Sequence, residues 1–308
     1  MKLRDGDFIK QMREIAEMSQ EDMAEQLNLS RSQVARLESG ASSIDIWQFI
    51  ALTELAGVPT QDFWVLHLET KEFDDYRKFK KLKNLILADE HDEAKLALQK
   101  LKDKPNKKHK SVYLRQYIAL AEVMLNKTGD PKENMQKLDD IIHMTKPNFD
   151  ESQADTARLT YNESSALIEK AHFLFESEKH DEAINLLKSL IKRHDTVSLN
   201  EEDKAYILPA VMSNLSTMLG RLKRYKESKE YCLQGIKVCE EFQEFRLIPV
   251  LHYNLASCLR FLKEERQVYT THIVRAYYGA RLMNQHELAE KIKAAAENPE
   301  KFNMQLPF

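Results

Sequence analysis

Residues 20–38, QEDMAEQLNLSRSQVARLE, restrict the fold of this chain more strongly than any other stretch. Apolar residues recur at helical spacing on both sides of the polar turn Asn28-Leu29, which predicts two short amphipathic helices. Ser19 and Ser30 each precede a helix start and are favourable N-cap residues. A second helix with a capped, polar N-terminus suits insertion into the major groove of DNA. The stretch therefore predicts a helix-turn-helix.

The flanking sequence predicts three more helices in an N-terminal head, residues 1–69. A first helix is expected to end near Met18, and two others are expected at about Ile44–Ala56 and Gln61–Leu68. Gly40 is expected to end the third helix in a left-handed conformation. The head is thus expected to hold five helices.

The pattern SQEDMAEQL-NLSRSQVARLESG, with the apolar residues that follow it, resembles the helix-turn-helix of the Cro and phage-repressor (Xre) family over residues 6–66. The resemblance implies that Arg13 and Glu38 form an ion pair between the first and third helices. It also implies that Ser30 leaves the positive end of the recognition helix free to approach a phosphate. The residues that it places at DNA are all polar: Gln20, Ser30, Arg31, Ser32, Gln33 and Arg36.

The residue types suit the DNA contacts that the resemblance implies. Arg31, Ser32 and Gln33 would face base edges, with Arg36 one turn further on, over backbone or base. Arginine can contact guanine O6 and N7 together, and glutamine can contact adenine N6 and N7. Gln20 would meet a phosphate or brace the recognition helix. The alternative is that the arginine and glutamine side chains of this helix are merely exposed polar groups.

The composition predicts a nearly all-helical chain. Only 7 of the 308 residues are glycine, and 31% are charged. No apolar run approaches the roughly 18 residues of a membrane span, and no signal peptide precedes the first helix, so a cytoplasmic protein is expected. Cys232, Cys239 and Cys258 lack metal-ligand spacing and are expected to be reduced core thiols. Neither a metal nor a cofactor is predicted.

The charge is distributed unevenly. Residues 1–69 hold six Lys and Arg against twelve Asp and Glu, whereas residues 70–110 hold thirteen against eight. An acidic head weakens electrostatic attraction to DNA, because phosphate neutralisation supplies much of the affinity of DNA-binding proteins. Recognition would then depend on geometry and dimerisation. The basic run Arg77–Lys83 is expected to be a solvated helix face, with contact to the DNA backbone as the alternative.

A repeat of about 40 residues occurs in the C-terminal half of the sequence. Ile-Leu-Pro at 207–209 is followed 40 residues later by Leu-Ile-Pro at 247–249, and the same offset aligns Asn214 with Asn254. Offsets of 40 to 45 residues suit helix pairs with longer connections than the standard tetratricopeptide repeat of 34.

The repeat extends towards the N-terminus. His-Asp-Glu-Ala, which is typical of the start of the second helix in a pair, occurs at both 91–94 and 180–183. Residues 70–308 are therefore predicted to form five helical hairpins stacked as a right-handed, tetratricopeptide-like solenoid. A capping helix is expected at 286–297.

The first helices of such pairs would line a concave surface, where a ligand site is predicted. Asparagine can both donate to and accept from one peptide unit, so a row of them can hold an extended peptide regardless of its sequence. A tyrosine would add stacking, and an arginine would bind a carboxylate. The alternatives are asparagines that bridge neighbouring helices and an arginine in solvent. The candidate residues are Asn162, Asn214, Arg221, Tyr253 and Asn254.

A helix-turn-helix head joined to a tetratricopeptide-like body resembles the peptide-pheromone-responsive regulators of Gram-positive bacteria, the Rgg, PlcR and PrgX group. The resemblance implies a homodimer, joined largely through the body, that binds a palindromic operator. It also implies that a short imported signalling peptide binds the body and changes DNA binding or transcription. The alternative is a DNA-tethered adaptor whose body binds a protein partner. No catalytic triad order, phosphate-binding glycine loop or HExxH pair indicates an enzyme.

Overall fold

The computed structural model describes residues 5–57, 70–87, 90–102, 111–126, 130–197 and 201–306. Within these ranges every regular element is helical, with fifteen α-helices and one short 3-10 helix, so the predicted all-α class is confirmed. The chain divides into two compact units, Met1–Lys81 and Leu82–Phe308. The predicted boundary after residue 69 lies outside the described ranges and stays a prediction.

Four of the described helices form the head: α1 (Asp5–Ile15), α2 (Gln20–Gln26), α3 (Arg31–Glu38) and α4 (Ile46–Leu55). Their apolar faces meet in one buried cluster: Phe8, Ile9, Met12, Met23, Ala24, Leu27, Val34, Leu37 and Leu52. The helix predicted at 61–68 lies outside the described residues.

Left-handed residues end the helices of the head. Gly40 follows α3 at φ +70°, as predicted, and Asn28 follows α2 at φ +53°. The first helix ends at Ile15, three residues earlier than predicted, because Glu17 takes up φ +53°. These short connections fix the angle between the two helices of the predicted helix-turn-helix.

Eleven described helices follow. They are α5 (Thr70–Leu87), α6 (His91–Lys102), α7 (Val112–Leu125), α8 (Pro131–His143), α9 (Tyr161–Glu176), α10 (His180–Thr196), α11 (Glu201–Arg221), α12 (Tyr225–Phe242), α13 (Ile248–Phe261), α14 (Arg266–Leu282) and α15 (His286–Glu297).

The second unit is built from consecutive helix pairs. Helix α7 packs on α8, α9 on α10, α11 on α12 and α13 on α14, and α15 packs on α14 with the bounds predicted for a capping helix. The first helices of these pairs also contact one another in order, α7 to α9 to α11 to α13. The first predicted pair corresponds to α5 and α6, which are separated by residues 88–89, outside the described ranges. The handedness of the stack stays a prediction.

The backbone conformation repeats at the ends of three first helices, α9, α11 and α13. Glu178, Lys223 and Lys263 have φ angles of 63°, 60° and 60°. The residue after each donates to a carbonyl five residues earlier, as in the 2.9 Å bond from Arg224 N to Leu219 O. This is a Schellman ending, which normally favours glycine at the left-handed position. The same turn therefore closes α9, α11 and α13 without glycine.

Replacing Lys263 with glycine is expected to stabilise the protein by about 1 kcal/mol, because the left-handed conformation is costly for a residue with a Cβ. The Lys263 side chain is exposed and forms no ion pair with a described residue. The measurement is the urea midpoint followed by circular dichroism. Lys263→Ala removes the same side chain without adding conformational freedom, so it should not stabilise. Equal midpoints for the two variants would contradict the prediction.

The residues after α15 pack against the last helix pair. The Phe302 side chain is 4% exposed, and its ring lies 6.4 Å from that of Tyr253 and 6.1 Å from that of Tyr269. Arg266 Nη2 donates to the carbonyl oxygen of Asn303 at 2.6 Å. Tyr277 belongs to the same buried cluster. The tail thus covers the C-terminal end of the helix stack.

The described residues show two further features. Cys232, Cys239 and Cys258 are buried free thiols, in agreement with their expected role in the core. No helix in the described ranges is both long enough and apolar enough to cross a membrane.

Candidate nucleic-acid interface and ligand surface

The start of α3 carries a reciprocal cap. Ser30 Oγ accepts a hydrogen bond from Gln33 N at 3.3 Å, and Gln33 Oε1 accepts one from Ser30 N at 2.8 Å. Ser30 is therefore the N-cap that the sequence predicts. The cap also holds the amide oxygen of Gln33, so a two-bond contact with adenine would require this oxygen to leave the cap. In the capped state the amide nitrogen is the part of Gln33 that can face a base.

The polar side chains of α3 lie on the side opposite the buried Val34 and Leu37. Ser32 and the two arginines of the helix, Arg31 and Arg36, are all exposed within the first unit. Arg31 Nε lies 2.9 Å from Glu21 Oε1, with 68% and 58% of the two side chains exposed. Surface pairs of this kind contribute about 0–1 kcal/mol, so a phosphate or guanine can replace the carboxylate readily.

Gln20 braces the recognition helix, which is one of its two expected roles. Its Nε2 donates to Glu38 Oε2 at 2.8 Å, joining the first residue of α2 to the last residue of α3. Arg13 Nε lies 2.5 Å from Glu38 Oε1, and the side chains of this pair are 13% and 7% exposed. Arg13 also donates to the carbonyl oxygen of Met18 at 2.8 Å. The predicted ion pair between the first and third helices is therefore present.

The environment of Glu38 keeps this brace charged. Burial alone would raise the pKa of the Glu38 carboxyl, but hydrogen bonds from Arg13 and Gln20 outweigh burial and hold the pKa below its usual range. The carboxylate therefore holds α1, α2 and α3 together and sets the direction in which α3 projects.

Asn162 is not on an open surface, contrary to its expected role. The side chain is fully buried, and its Nδ2 donates to the carbonyl oxygen of Tyr113 at 2.9 Å. The amide joins α9 to α7, which is the bridging alternative for these asparagines. We therefore leave Asn162 out of the candidate ligand surface.

Asn214 and Asn254 are half-buried, and their amides are partly used within the fold. Asn254 Nδ2 donates to Ser216 Oγ and to Thr217 Oγ1, both at 2.9 Å, so both of its donor hydrogens hold α13 to α11. Asn214 Nδ2 donates to the carbonyl oxygen of Ala210 in its own helix at 2.9 Å. A peptide unit could still use the oxygen of either amide, but only Asn214 keeps a spare N–H.

Arg221 lies at the end of α11 and is half exposed. It forms an ion pair with Glu176 of α9, and its guanidinium carbon lies 4.7 Å from the centroid of the Phe175 ring. A peptide carboxylate at Arg221 would therefore compete with Glu176. The hydrogen bond from Arg221 lowers the pKa of the Glu176 carboxyl, so this competitor stays ionised.

The Tyr253 ring packs against Phe302 at the C-terminal end of the helix stack. This contact argues against its expected role as a ligand contact. The repeat offsets place Tyr253 in register with Ser213 of α11 and Ile168 of α9, and both of these side chains are buried. On α13, the ring next to Tyr253 is that of Phe302, which belongs to the residues after α15. The Tyr253 ring is thus half-buried by the tail, and we leave it out of the candidate surface.

The sequence did not single out a pair of tyrosines on neighbouring first helices. Lys83 Nζ lies 4.2 Å from the ring centroid of Tyr161 and 5.1 Å from that of Tyr206. Lys83 is thus not the simply solvated lysine expected of the basic run, although Lys80 and Lys81 are exposed. The tyrosines are 45 residues apart, which is the repeat offset between α9 and α11. This spacing is the sequence signal from which the pair could have been predicted.

Comparison with known proteins bears on the helix-turn-helix and on the fold of the whole chain. Residues 6–63 match the model of a family described as helix-turn-helix domain. A crystal structure of Bacillus thuringiensis PlcR, in complex with the peptide PapR7 and DNA, is similar over 94% of this chain and 98% of PlcR, with 19% identity and a TM-score of 0.65. A comparison with curated proteins found no similar sequence.

Two further solved structures share the architecture. ComR from S. thermophilus, in complex with DNA and its signalling peptide ComS, covers 94% of this chain and 97% of its own, at 15% identity and a TM-score of 0.57. The SHP pheromone receptor Rgg2 of Streptococcus dysgalactiae covers 94% and 97%, at 16% identity and a TM-score of 0.53. The chain therefore has the fold of these proteins, a helix-turn-helix head followed by a helical-repeat body. The fold implied by the resemblance to the Rgg, PlcR and PrgX group is confirmed.

Proposed function

We propose that this chain is a sequence-specific, DNA-binding transcriptional regulator whose body binds a short signalling peptide. Peptide binding changes DNA binding or transcription. The observation that carries the proposal is the capped helix α3, which presents Arg31, Ser32 and Arg36 to solvent on a braced helix-turn-helix. PlcR and ComR, which share the fold along nearly the whole chain, were crystallised with both DNA and a peptide. This supports a peptide signal over an adaptor role, and binding over catalysis.

The proposed regulator is a cytoplasmic homodimer that binds a palindromic operator. Two recognition helices must reach half-sites about one helical turn, or roughly 34 Å, apart on one face of the duplex. The head carries a net negative charge in the sequence, so counterion release contributes little and the contacts of α3 must supply more of the affinity. No cofactor enters the proposal.

Arg31→Ala is expected to weaken operator binding by about 5- to 150-fold, or about 1–3 kcal/mol, if the guanidinium contacts a base. The operator is first selected from a library of random duplexes with the full-length protein. Fluorescence anisotropy then gives the affinity at a fixed salt concentration. Relaxed preference at a single position of each half-site would assign the base that Arg31 contacts.

Glu21→Ala is the matched control for this prediction. It removes the partner of Arg31 in the ion pair but no expected DNA contact, and it removes a negative charge near the duplex. Operator affinity should therefore stay equal or increase. Equal affinities for wild type and Arg31→Ala, with a folded head, would contradict the assignment.

The peptide half of the proposal is tested on α11 and α13. Peptides of about seven residues are selected from a library with the full-length protein and measured by calorimetry, and their effect on operator affinity is recorded. Allostery requires the peptide to bind the DNA-competent and DNA-incompetent states with different affinities. Loss of this response in the Asn214→Ala/Asn254→Ala double variant, with operator binding intact, would support a peptide site here. An unchanged response would place the peptide elsewhere on the protein, whereas the absence of any peptide response in the wild type would favour the adaptor.

A further inference from the structure

The C-terminal turns of α5 contact two consecutive first helices of the second unit and share a cavity with a third. Lys83 contacts the ring of Tyr161 on α9 and the ring of Tyr206 on α11. One turn later, Ile86 and Leu87 line a cavity of about 470 Å³ together with residues at the start of α13, including Val250. The end of α5 therefore occupies the N-terminal edge of the row formed by α9, α11 and α13.

The two tyrosines form a repeated feature of that row. Tyr161 and Tyr206 are 45 residues apart, as are the left-handed residues Glu178 and Lys223 that end the same two helices. Helices α9 and α11 contact each other, so the two rings belong to adjacent, equivalent positions. Both side chains are half-buried, so each tyrosine keeps some contact with solvent.

The rings suit a cation. Burial raises the pKa of the Tyr161 hydroxyl, although the charge of Arg246 opposes this, so the ring is a neutral phenol with an electron-rich face. An ammonium or guanidinium group within about 6 Å of such a face is attracted to it, and partial desolvation strengthens the attraction. Lys83 Nζ lies within this distance of both rings.

We propose that Tyr161 and Tyr206 form a cation-binding site that Lys83 fills in this structure and that a cationic group of the ligand peptide takes over. The group is an N-terminal ammonium, a lysine or an arginine. This inference rests on the proposed function and names the chemistry of one part of its peptide site. When the peptide cation binds, it displaces Lys83 from the two rings and releases the end of α5 from α9 and α11.

The replacement exchanges one cation for another at the same two rings. Cation–ring contacts contribute little where solvent still reaches them, and a peptide cation brings additional contacts from the rest of the peptide. The site would therefore favour peptides with a positive charge at one position. A peptide without a cation would leave Lys83 in place.

The test uses hydrogen exchange of residues 82–87 in the full-length protein, with tetramethylammonium chloride as the probe. This salt at about 100 mM supplies a cation that aromatic rings bind, and sodium chloride at the same concentration controls for ionic strength. Exchange at the end of α5 is expected to be about 2- to 5-fold faster in tetramethylammonium. Equal exchange in the two salts would overturn the proposal.

Variants distinguish loss of the contact between Lys83 and the two tyrosine rings from a general loosening of the fold. Lys83→Met should speed exchange at the end of α5, whereas Lys81→Met removes the same charge from an exposed lysine that contacts no ring among the described residues. Tyr206→Leu should remove the response to tetramethylammonium, and Tyr206→Phe should keep it, because phenylalanine retains an aromatic face. Identical exchange in Lys83→Met and Lys81→Met would also overturn the proposal.

The hydrogen-exchange test with tetramethylammonium does not require a known peptide ligand. Failure to select any peptide or operator would count against the proposed function, whereas the probe experiment would still decide the cation site. Once peptides are selected, neutralising their single positive charge should weaken binding to wild type about 5-fold or more but have little effect on Tyr206→Leu. Equal losses in both proteins would contradict the assignment of the peptide cation to these rings.

Discussion

A Gly6→Ala variant is expected to lose about 3 kcal/mol or more of stability in the head. A Cβ at this position would collide with the carbonyl oxygen of Glu38 and lie 2.6 Å from the backbone nitrogen of Gly40. Both atoms belong to the backbone at the end of α3, so the added methyl can be accommodated only by moving α1 away from the recognition helix. Operator binding should be lost together with the fold of the head.

Tryptophan fluorescence during urea unfolding measures this effect. The two tryptophans of the chain, Trp47 and Trp64, both lie within the first 69 residues, so their signal reports on the head. The circular dichroism signal comes mostly from the longer body. In the same sample it should show that the urea unfolding of the body is largely unchanged. The comparison thus locates the loss of stability within the full-length protein.

Gly40→Ala is the matched control. Gly40 has φ +70°, but a Cβ there would meet no atom within 4 Å. The variant should therefore incur only the conformational cost of a left-handed alanine, about 1–2 kcal/mol. A loss of stability in Gly6→Ala no larger than that in Gly40→Ala would show that the close approach between α1 and α3 is not required.

Lowering the pH from 6.5 to 4 is expected to destabilise the body by roughly 2–3 kcal/mol through His252. Burial lowers the pKa of His252 to about 4, and the neighbouring His272 and Arg275 add to this. The two histidines meet between α13 and α14, with their Nδ1 atoms 3.1 Å apart. Below pH 6.5 the His252 imidazole binds a proton in the unfolded chain but stays neutral in the folded chain. The free energy of unfolding therefore falls until the pH reaches the folded pKa.

Urea unfolding by circular dichroism at pH 7, 5.5 and 4.5 measures this dependence. His252→Gln should flatten it, since the amide does not titrate, although half-buried His194 continues to contribute because its pKa is also lowered to about 4, chiefly by burial. His286→Gln is the control, because this histidine is exposed at the start of α15. Parallel pH profiles for wild type and His252→Gln would contradict the assignment.

Local chemistry made the framework of the fold predictable from sequence. A serine before an acidic or polar first turn is an N-cap whatever surrounds it, and Ser30 proved to be one. The His-Asp-Glu-Ala segments begin α6 and α10, because acidic residues favour the first turn of a helix. Repeats add to these signals, since each helix pair must bury its apolar face against a similar neighbour.

The roles of polar residues on the first helices were harder to predict, because they depend on contacts with distant parts of the chain. Asn162 is as polar as Asn214, yet a carbonyl 49 residues earlier takes up its amide inside the fold. Tyr253 has the expected spacing, but the tail covers its ring. The position of Lys83 depends on how α5 meets α9 and α11, which no local pattern encodes.

The Phe302 ring has a consequence for how such a chain can change in length. Phe302 packs against Tyr253 of α13 and Tyr269 of α14, so a further helix pair that used this face of the last pair would have to displace the ring. Lengthening of the array would instead proceed by insertion of pairs at internal positions, where both faces of the new pair meet helices of the same kind. In longer descendants, duplicated helix pairs are therefore expected between existing pairs, and the Phe302 ring is expected to keep its place against the last pair.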